Sequence, residues 1–272
     1  MMFRVLGPLE VTVQGTIETP TATKVRWTLA LLLLRANQVV SRASIIAELW
    51  GEHPPRSAVT TAQTYVYQIR KKYQHRFSQL GWGEFVQTRS PGYLLRVDEA
   101  EIDAWVFERL SEQGRTSLES GHVEQAARQL HGALALWRGP ALADVPAGPL
   151  LTPHVTHLAE IRTRTLRLRI VADRRLGRHH ELIPELQFLA AANPIDEWFH
   201  QQLMIALTET GRRADALQVY ERLQSTLGAE LGVAPSSRLC QLQHDVVAGV
   251  PWTLDPQAEL DLVVPRQRTG PS

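Results

Sequence analysis

Residues 57–73 read SAVTTAQTYVYQIRKKY. Val59, Ala62, Val66, Ile69 and Tyr73 recur at three- and four-residue steps, which on a 3.6-residue period puts all five on one buried side of a helix. Thr61, Thr64, Gln68 and Lys71 then face the other way. Small hydrogen-bonding groups suit base edges in a DNA major groove and cations suit phosphates, so this face has the chemistry of a groove reader. An ordinary polar surface helix shares the same periodicity, and the stretch alone leaves both readings open.

The flanking sequence favours the first. Gly83–Thr88 (GEFVQT) and Tyr93–Val97 (YLLRV) are short strand-like runs, and Arg89-Ser90-Pro91-Gly92 between them supplies turn chemistry with a cation at its tip. A helix followed by such a hairpin resembles the order of winged helix-turn-helix proteins, in which a cation of the wing enters the neighbouring minor groove. Arg89 is the candidate for that role, against a plain surface-loop arginine. Upstream, residues 1–20 alternate weakly around Gly7-Pro8 and Gln14-Gly15, which predicts two or three short antiparallel strands. A core helix over Thr23–Ala36 follows, with Asn37 as a left-handed cap. Ser41 caps a second helix whose buried side is Ile45, Ile46, Leu49 and Trp50. Gly51 ends it, and Pro54-Pro55 separates it from residue 57 onward.

The chain has 272 residues, enough for two domains of about 100 to 150 residues each. It is 44% apolar and 21% charged, a globular composition, with neither a signal-peptide pattern nor an apolar run near the ~18 residues of a membrane span. Cys240 stands alone, which rules out an intrachain disulfide, fits a reducing cytoplasm and reads as a small core residue. The net charge of +1 conceals an asymmetry: residues 1–98 carry 12 Lys and Arg against 6 Asp and Glu, and the remainder carries 17 against 22. A basic first part can gather counterion-release affinity for a polyanion, whereas the acidic remainder points to another kind of partner.

From Glu99 the pattern becomes helical. Three glycine-led signatures recur, Gly121-His122-Val123-Glu124-Gln125-Ala126, Gly177-Arg178-His179-His180-Glu181-Leu182 and Gly211-Arg212-Arg213-Ala214-Asp215-Ala216. The last two share the register of tetratricopeptide repeats, about 34 residues, with Asn193-Pro194 breaking the units. An irregular insertion around Trp137-Arg138-Gly139-Pro140 separates the first two. The segment 250–272, with Pro251, Pro256, Pro265 and Pro271, reads as a flexible tail.

Catalytic signals are missing from the sequence: it contains no phosphate-binding loop, dinucleotide-binding turn or nucleophile elbow. His154 with His157, and His179-His180 near Glu181 and Glu185, raise a metal-site reading, but ten histidines make such neighbours common and no third ligand is evident. Seven arginines between Arg162 and Arg178 read as a solvated face paired with local carboxylates, or else as an accessory contact to DNA or an acidic protein.

Longer phrases carry a resemblance. FRVLGPLEV, LALLLLRANQVVSRASIIAELWG, AQTYVYQIRKKY, VQTRSPGYLLRVDEAEIDAWVFERL, ALALWRGPALADVP, ADRRLGRHHELIPEL and ALQVYERLQSTLGAELGVAPS together resemble the Streptomyces antibiotic regulatory protein family from about Phe3 to Val247. The resemblance implies a mainly α fold with a small β component. Residues 1–98 would be an OmpR-type winged helix-turn-helix DNA-binding domain, and 99–249 a bacterial transcriptional activation domain of all-α, tetratricopeptide-like helices. It also implies an activator that binds direct repeats in double-stranded promoter DNA as side-by-side copies. Such a protein recruits RNA polymerase holoenzyme through its sigma factor and alpha subunit to genes of antibiotic biosynthesis. Its extent resembles that of the small family members, and no cofactor, metal, membrane or enzymatic role is implied. The DNA-contacting residues would be Thr61, Gln63, Thr64, Tyr67, Gln68, Arg70, Lys71, Lys72 and Arg89. Where relatives commonly place a serine and an arginine, this chain has Tyr67 and Gln68, which shifts the expected base preference toward adenine. A repressor that uses the helical part for self-association, and a scaffold whose winged domain binds protein, are the competing readings.

Overall fold

The computed structural model describes residues 1–79, 84–250, 252, 260 and 263. They form two compact units, the first made of Met1–Gly114 and Gln129–Leu166, the second of Arg115–Arg128 and the described residues from Arg167 on.

In the first unit, β1 (Met2–Arg4), β2 (Glu10–Val13) and β3 (Thr16–Ile17) form an antiparallel sheet in that order. Val11 and Val13 point into the core while Glu10 and Thr12 stay half-exposed, the two-residue period of a one-sided strand. Next comes α1 (Thr23–Leu34), where Leu29 through Leu33 are all fully buried. A helix apolar all round must be enclosed all round, and this one is the centre of the unit. Asn37 adopts φ 63° and holds Val97 from both sides, Nδ2 donating to its carbonyl at 2.9 Å and Oδ1 accepting its N–H at 3.3 Å. β4 (Val39–Ser41) leads into α2 (Arg42–Trp50), capped by Ser41 Oγ, which accepts the Ser44 N–H at 2.9 Å.

The second sheet joins β4 to a hairpin, β5 (Val86–Arg89) and β6 (Gly92–Leu95), in the order β4-β6-β5. Gly92 is required there, because a Cβ would lie 1.8 Å from the Val40 carbonyl oxygen and 2.6 Å from Ser41 Cα. The first of the two expected runs begins at Gly83, which lies outside the described residues; among these the first strand covers Val86–Arg89, and the second runs from Gly92 to Leu95.

Between β4 and β5 in the chain, α3 (Ala58–Gln79) carries nearly all of the amphipathic stretch 57–73. Its buried seam is Ala58, Ala62, Val66, Ile69 and Tyr73. Val59, expected in that seam, is 50% exposed: steps of four from Ala58 turn the buried sector away from it. Tyr73 is fully buried, stands edge-on to Phe85 at 5.6 Å and donates its hydroxyl to the Glu18 carbonyl at 2.7 Å, and burial holds its pKa well above the usual tyrosine value.

The first compact unit reaches past Asp98, where the sequence reading divides the chain, and hydrogen bonds explain why. Arg138 and Leu142 donate their N–H groups to the carbonyls of Leu6 and Val5 at 2.8 and 3.0 Å, and Asp144 takes the Leu9 N–H at 2.6 Å and an Arg26 N–H at 2.7 Å. Glu48 of α2, 1% exposed, accepts the Trp27 indole N–H at 2.8 Å and the backbone N–H groups of Gly148, Leu150 and Leu151 at 2.8, 2.6 and 3.2 Å. Those amides open α6 (Leu151–Arg175), and a carboxylate there satisfies donors that have no partner within the helix. Asp103 plays a similar part at the start of α4 (Asp103–Glu119), accepting from Val5 and Leu6 at 2.7 and 3.2 Å. Burial outweighs these hydrogen bonds and raises its pKa to about 6.

The remaining helices are α5 (Val123–Leu134), α7 (His179–Ala192), α8 (Glu197–Glu209), α9 (Arg213–Leu231) and α10 (Ser237–Ala248). Gly121, Gly177 and Gly211, the three expected signature glycines, have φ of 79°, 75° and 78°, and each lies between one helix and the next. Asn193-Pro194 falls between α7 and α8, where the repeat pattern requires a break. In the second unit α8 packs on both α7 and α9 and is buried from Trp198 to Leu207. Leu260 and Val263 are buried, and the rest of the expected tail beyond Val250, Trp252 apart, lies outside the described residues.

The arginine-rich stretch is not a simple solvated face. Arg162 stacks on Trp137 at 4.7 Å, Arg167 pairs with Asp196 at 2.6 Å, and Arg178 pairs with Asp173 at 2.8 Å. Arg169, 5% exposed, binds Asp173 and Glu185.

Candidate nucleic-acid interface

The buried seam of α3 determines what its opposite side presents. Counting in steps of three and four, Thr60, Thr64, Tyr67 and Lys71 lie on the line directly away from the core, flanked by Gln63 on one side and Gln68 on the other, and all six are exposed. Tyr67 is 61% exposed, a large aromatic ring in solvent on a helix with a well-filled core side. Thr64 donates its hydroxyl to the Thr60 carbonyl at 3.0 Å, and Thr61, half-buried at the flank, donates to Ser57 Oγ at 3.4 Å. Lys72 is exposed with its ammonium 5.8 Å from the Tyr73 ring.

Arg70 is half-buried and held by the wing. Its Nε donates to the Val86 carbonyl and its Nη2 to Thr88 Oγ1, each at 2.7 Å, and its guanidinium lies 5.6 Å from the Tyr93 ring. These contacts tie β5 and β6 to α3 and fix the angle at which the wing leaves it. Arg89 sits at the exposed end of β5, with Nε and Nη2 both on Gln87 Oε1 at 3.3 and 3.2 Å. The structure therefore leaves the outward α3 side chains and Arg89 exposed, in a polar region whose helix and wing are linked by Arg70, itself turned inward to the hairpin.

Two exposed residues join this region that the sequence reading missed. Thr60 continues the Lys71–Tyr67–Thr64 line by one more helical turn, a signal present in the periodicity. Arg42, at the start of α2, donates Nε to the Pro91 carbonyl at 3.4 Å, which puts a second cation beside the wing turn. That contact joins residues 49 apart, and nothing local in the sequence announces it.

Among the described residues no three His, Cys, Asp or Glu side chains converge to hold a metal, and no helix is long and apolar enough to cross a membrane. His154, half-buried near Arg35 and His157, has its pKa lowered, chiefly by burial.

A helix with an exposed polar and cationic face, packed against a three-stranded sheet whose hairpin carries arginine, defines a winged helix-turn-helix regulator. Residues 19–95 match the family of transcriptional regulatory proteins by their C-terminal domain, and residues 102–247 match the bacterial transcriptional activator domain. The chain belongs to the Streptomyces antibiotic regulatory protein family, and it is a DNA-binding transcription regulator, not an enzyme. It is 42% identical to the regulatory protein DnrI of Streptomyces peucetius over 254 residues, covering 92% of this chain and 93% of that protein. It is 33% identical to the regulatory protein AfsR of Streptomyces griseus over 91% of this chain but 24% of that much longer protein. A solved structure of Mycobacterium tuberculosis EmbR in complex with low affinity phosphopeptide superimposes with a TM-score of 0.84 at 30% identity, covering 96% of this chain and 68% of that one.

Proposed function

We propose that the protein is a cytoplasmic activator of antibiotic or other secondary-metabolite biosynthetic genes, which binds direct repeats in promoter DNA as a homodimer and recruits RNA polymerase holoenzyme through its sigma factor and alpha subunit. Residues 1–98 would bind DNA, 99–249 would contact the polymerase, and 250–272 would form a tail. The observation that carries this reading is the outward line of α3 beside the Arg89 wing, borne on a chain whose other part matches an activator domain. Thr61, Gln63, Thr64, Tyr67 and Gln68 would meet base edges in the major groove, and Lys71, Lys72 and Arg89 would meet phosphates and the minor groove. Arg70 would reach the backbone only with donors left over from the wing, so its main work would be to set the distance between helix and wing.

Footprinting on the promoters of a candidate cluster, with and without holoenzyme, followed by transcription in vitro, tests the proposal. Protected direct repeats with stimulated transcription support it. Protection with inhibition would make the protein a repressor, and absence of protection would favour a protein-binding scaffold.

A further inference from the structure

A second polar site lies in the helical unit and shares no residue with the DNA-binding reading. Arg167 of α6, Glu197, Trp198 and Gln201 of α8, and Ser236, Arg238 and Leu239 at the start of α10 line a cavity of about 240 Å³. Trp198 and Gln201 are three residues apart and so share one face of α8. They are 8% and 5% exposed, and neither the Trp198 indole N–H nor the Gln201 amide Nε2 has an acceptor among the described residues. The buried Nε of Arg167 also lacks one. Its guanidinium is nonetheless held on two sides, with Nη2 on Asp196 Oδ2 at 2.6 Å and Cζ 5.2 and 5.4 Å from the centroids of the Trp198 and Phe199 rings. Asp196 is itself fixed, because its other oxygen accepts the Trp198 backbone N–H at 3.1 Å. Glu197 is the one carboxylate on the wall, and it already accepts from the N–H of Ser236 at 3.1 and 3.0 Å and from the Ser236 hydroxyl.

Buried polar atoms in folded proteins nearly always have partners, and here three N–H donors without one belong to residues of two helices that line a single cavity. Donors alone call for acceptor oxygens, and charge-assisted acceptors bind them most strongly. We propose that this cavity binds the oxyanion group, carboxylate or phosphate, of a small acidic ligand, with Arg167, Trp198 and Gln201 donating to it and Arg238 adding positive charge. The site would give the regulator an input for a metabolite, separate from its DNA face.

The test uses the full chain labelled with ¹⁵N. The Trp198 indole signal is assigned among the seven tryptophans by Trp198→Phe, and followed during titration with sodium phosphate and with sodium acetate, against sodium chloride at equal ionic strength. A saturable shift with phosphate or acetate but not chloride is expected, and the anion that saturates at lower concentration names the ligand class. Gln201→Met keeps the side-chain length and removes the donor, and should weaken that binding about tenfold. Arg238→Gln should weaken it independently from the α10 side, and both variants should keep the parent's affinity for DNA. A shift no different from that in chloride, or binding unchanged in both variants, overturns the proposal.

Discussion

On α3, Lys71 stands exposed with no carboxylate partner among the described residues, beside Thr60, Thr64, Tyr67 and Gln68. On α6 two of the cations are paired inside the protein: Arg167 and Arg169 find Asp196 and Glu185, 29 and 16 residues further along the chain, and Arg169 also takes Asp173 one turn away. Both stretches read in sequence as basic helices. What separates them is which carboxylates the fold brings near, so a cationic run becomes a candidate for a partner only once its internal partners have been accounted for. The same inward use holds for two carboxylates, since Glu48 and Asp103 are buried and taken up by N–H donors of their own unit.

The inward side of the comparison should show itself in stability. Arg169→Ala leaves Asp173, 3% exposed, with Arg178 as a remaining cation, so the loss should lie above about 1 kcal/mol but short of the cost, about 3–5 kcal/mol, of a buried charge left wholly unpaired. Urea unfolding should register that loss while base preference in DNA binding stays unchanged. A loss below about 1 kcal/mol would place Arg169 with exposed pairs and erase the contrast with α3.

Asp103 should make stability depend on pH. Its folded pKa of about 6 lies above the ordinary value of 3.8, so between the two the unfolded chain has released the proton that the folded chain keeps. Stability from this group is therefore greatest below about pH 4, falls as pH rises to about 6 and is level above, by roughly 3 kcal/mol in all. Unfolding midpoints across that window, compared with those of Asp103→Asn, isolate the effect: the variant should lose this part of the slope, and an unchanged slope would assign it to other groups.

Much of this was legible in the sequence because it was local. The core helix around Leu29–Leu33, the Ser41 cap, left-handed Asn37 and the three signature glycines each follow from a few adjacent residues and came out as expected. Val59 was misplaced because Ala58 and Val59 are both apolar and adjacent, and periodicity alone cannot say which begins the seam. The long-range hubs were invisible: Glu48 looks like a polar residue on a short helix until Gly148, Leu150 and Leu151, about a hundred positions away, present their amides to it. For the same reason Arg70 read as a free cation, and the wing that holds it appears only in three dimensions.

The outward side should show itself in DNA binding with stability unchanged. Gln68→Arg replaces an amide suited to adenine by a group suited to guanine, and should move base preference at one operator position by about 1–3 kcal/mol in a binding-site selection. No change at any base would remove Gln68 from the reading face. Arg70→Lys keeps the charge but cannot hold the Val86 carbonyl and Thr88 together. It should weaken binding by about 1 kcal/mol with the salt dependence intact, because what is lost is the placement of the wing and not a phosphate contact. A fall in salt slope instead would make Arg70 a phosphate ligand like its neighbours.

The smallest effect discriminates most finely. Lys71→Gln should lower the slope of log affinity against log salt by about 0.9, so that between 50 and 200 mM salt the variant loses about threefold less affinity than the parent does. Arg178→Gln, which removes another exposed cation from the helical unit, should leave that slope untouched, since its charge is already matched by Asp173 at 2.8 Å. Both changes remove one positive charge from the chain, so net charge cannot explain a difference between them. Equal slopes in the two variants would mean that DNA senses the protein as a diffuse charge, and the distinction between outward and inward cations would then have no bearing on binding.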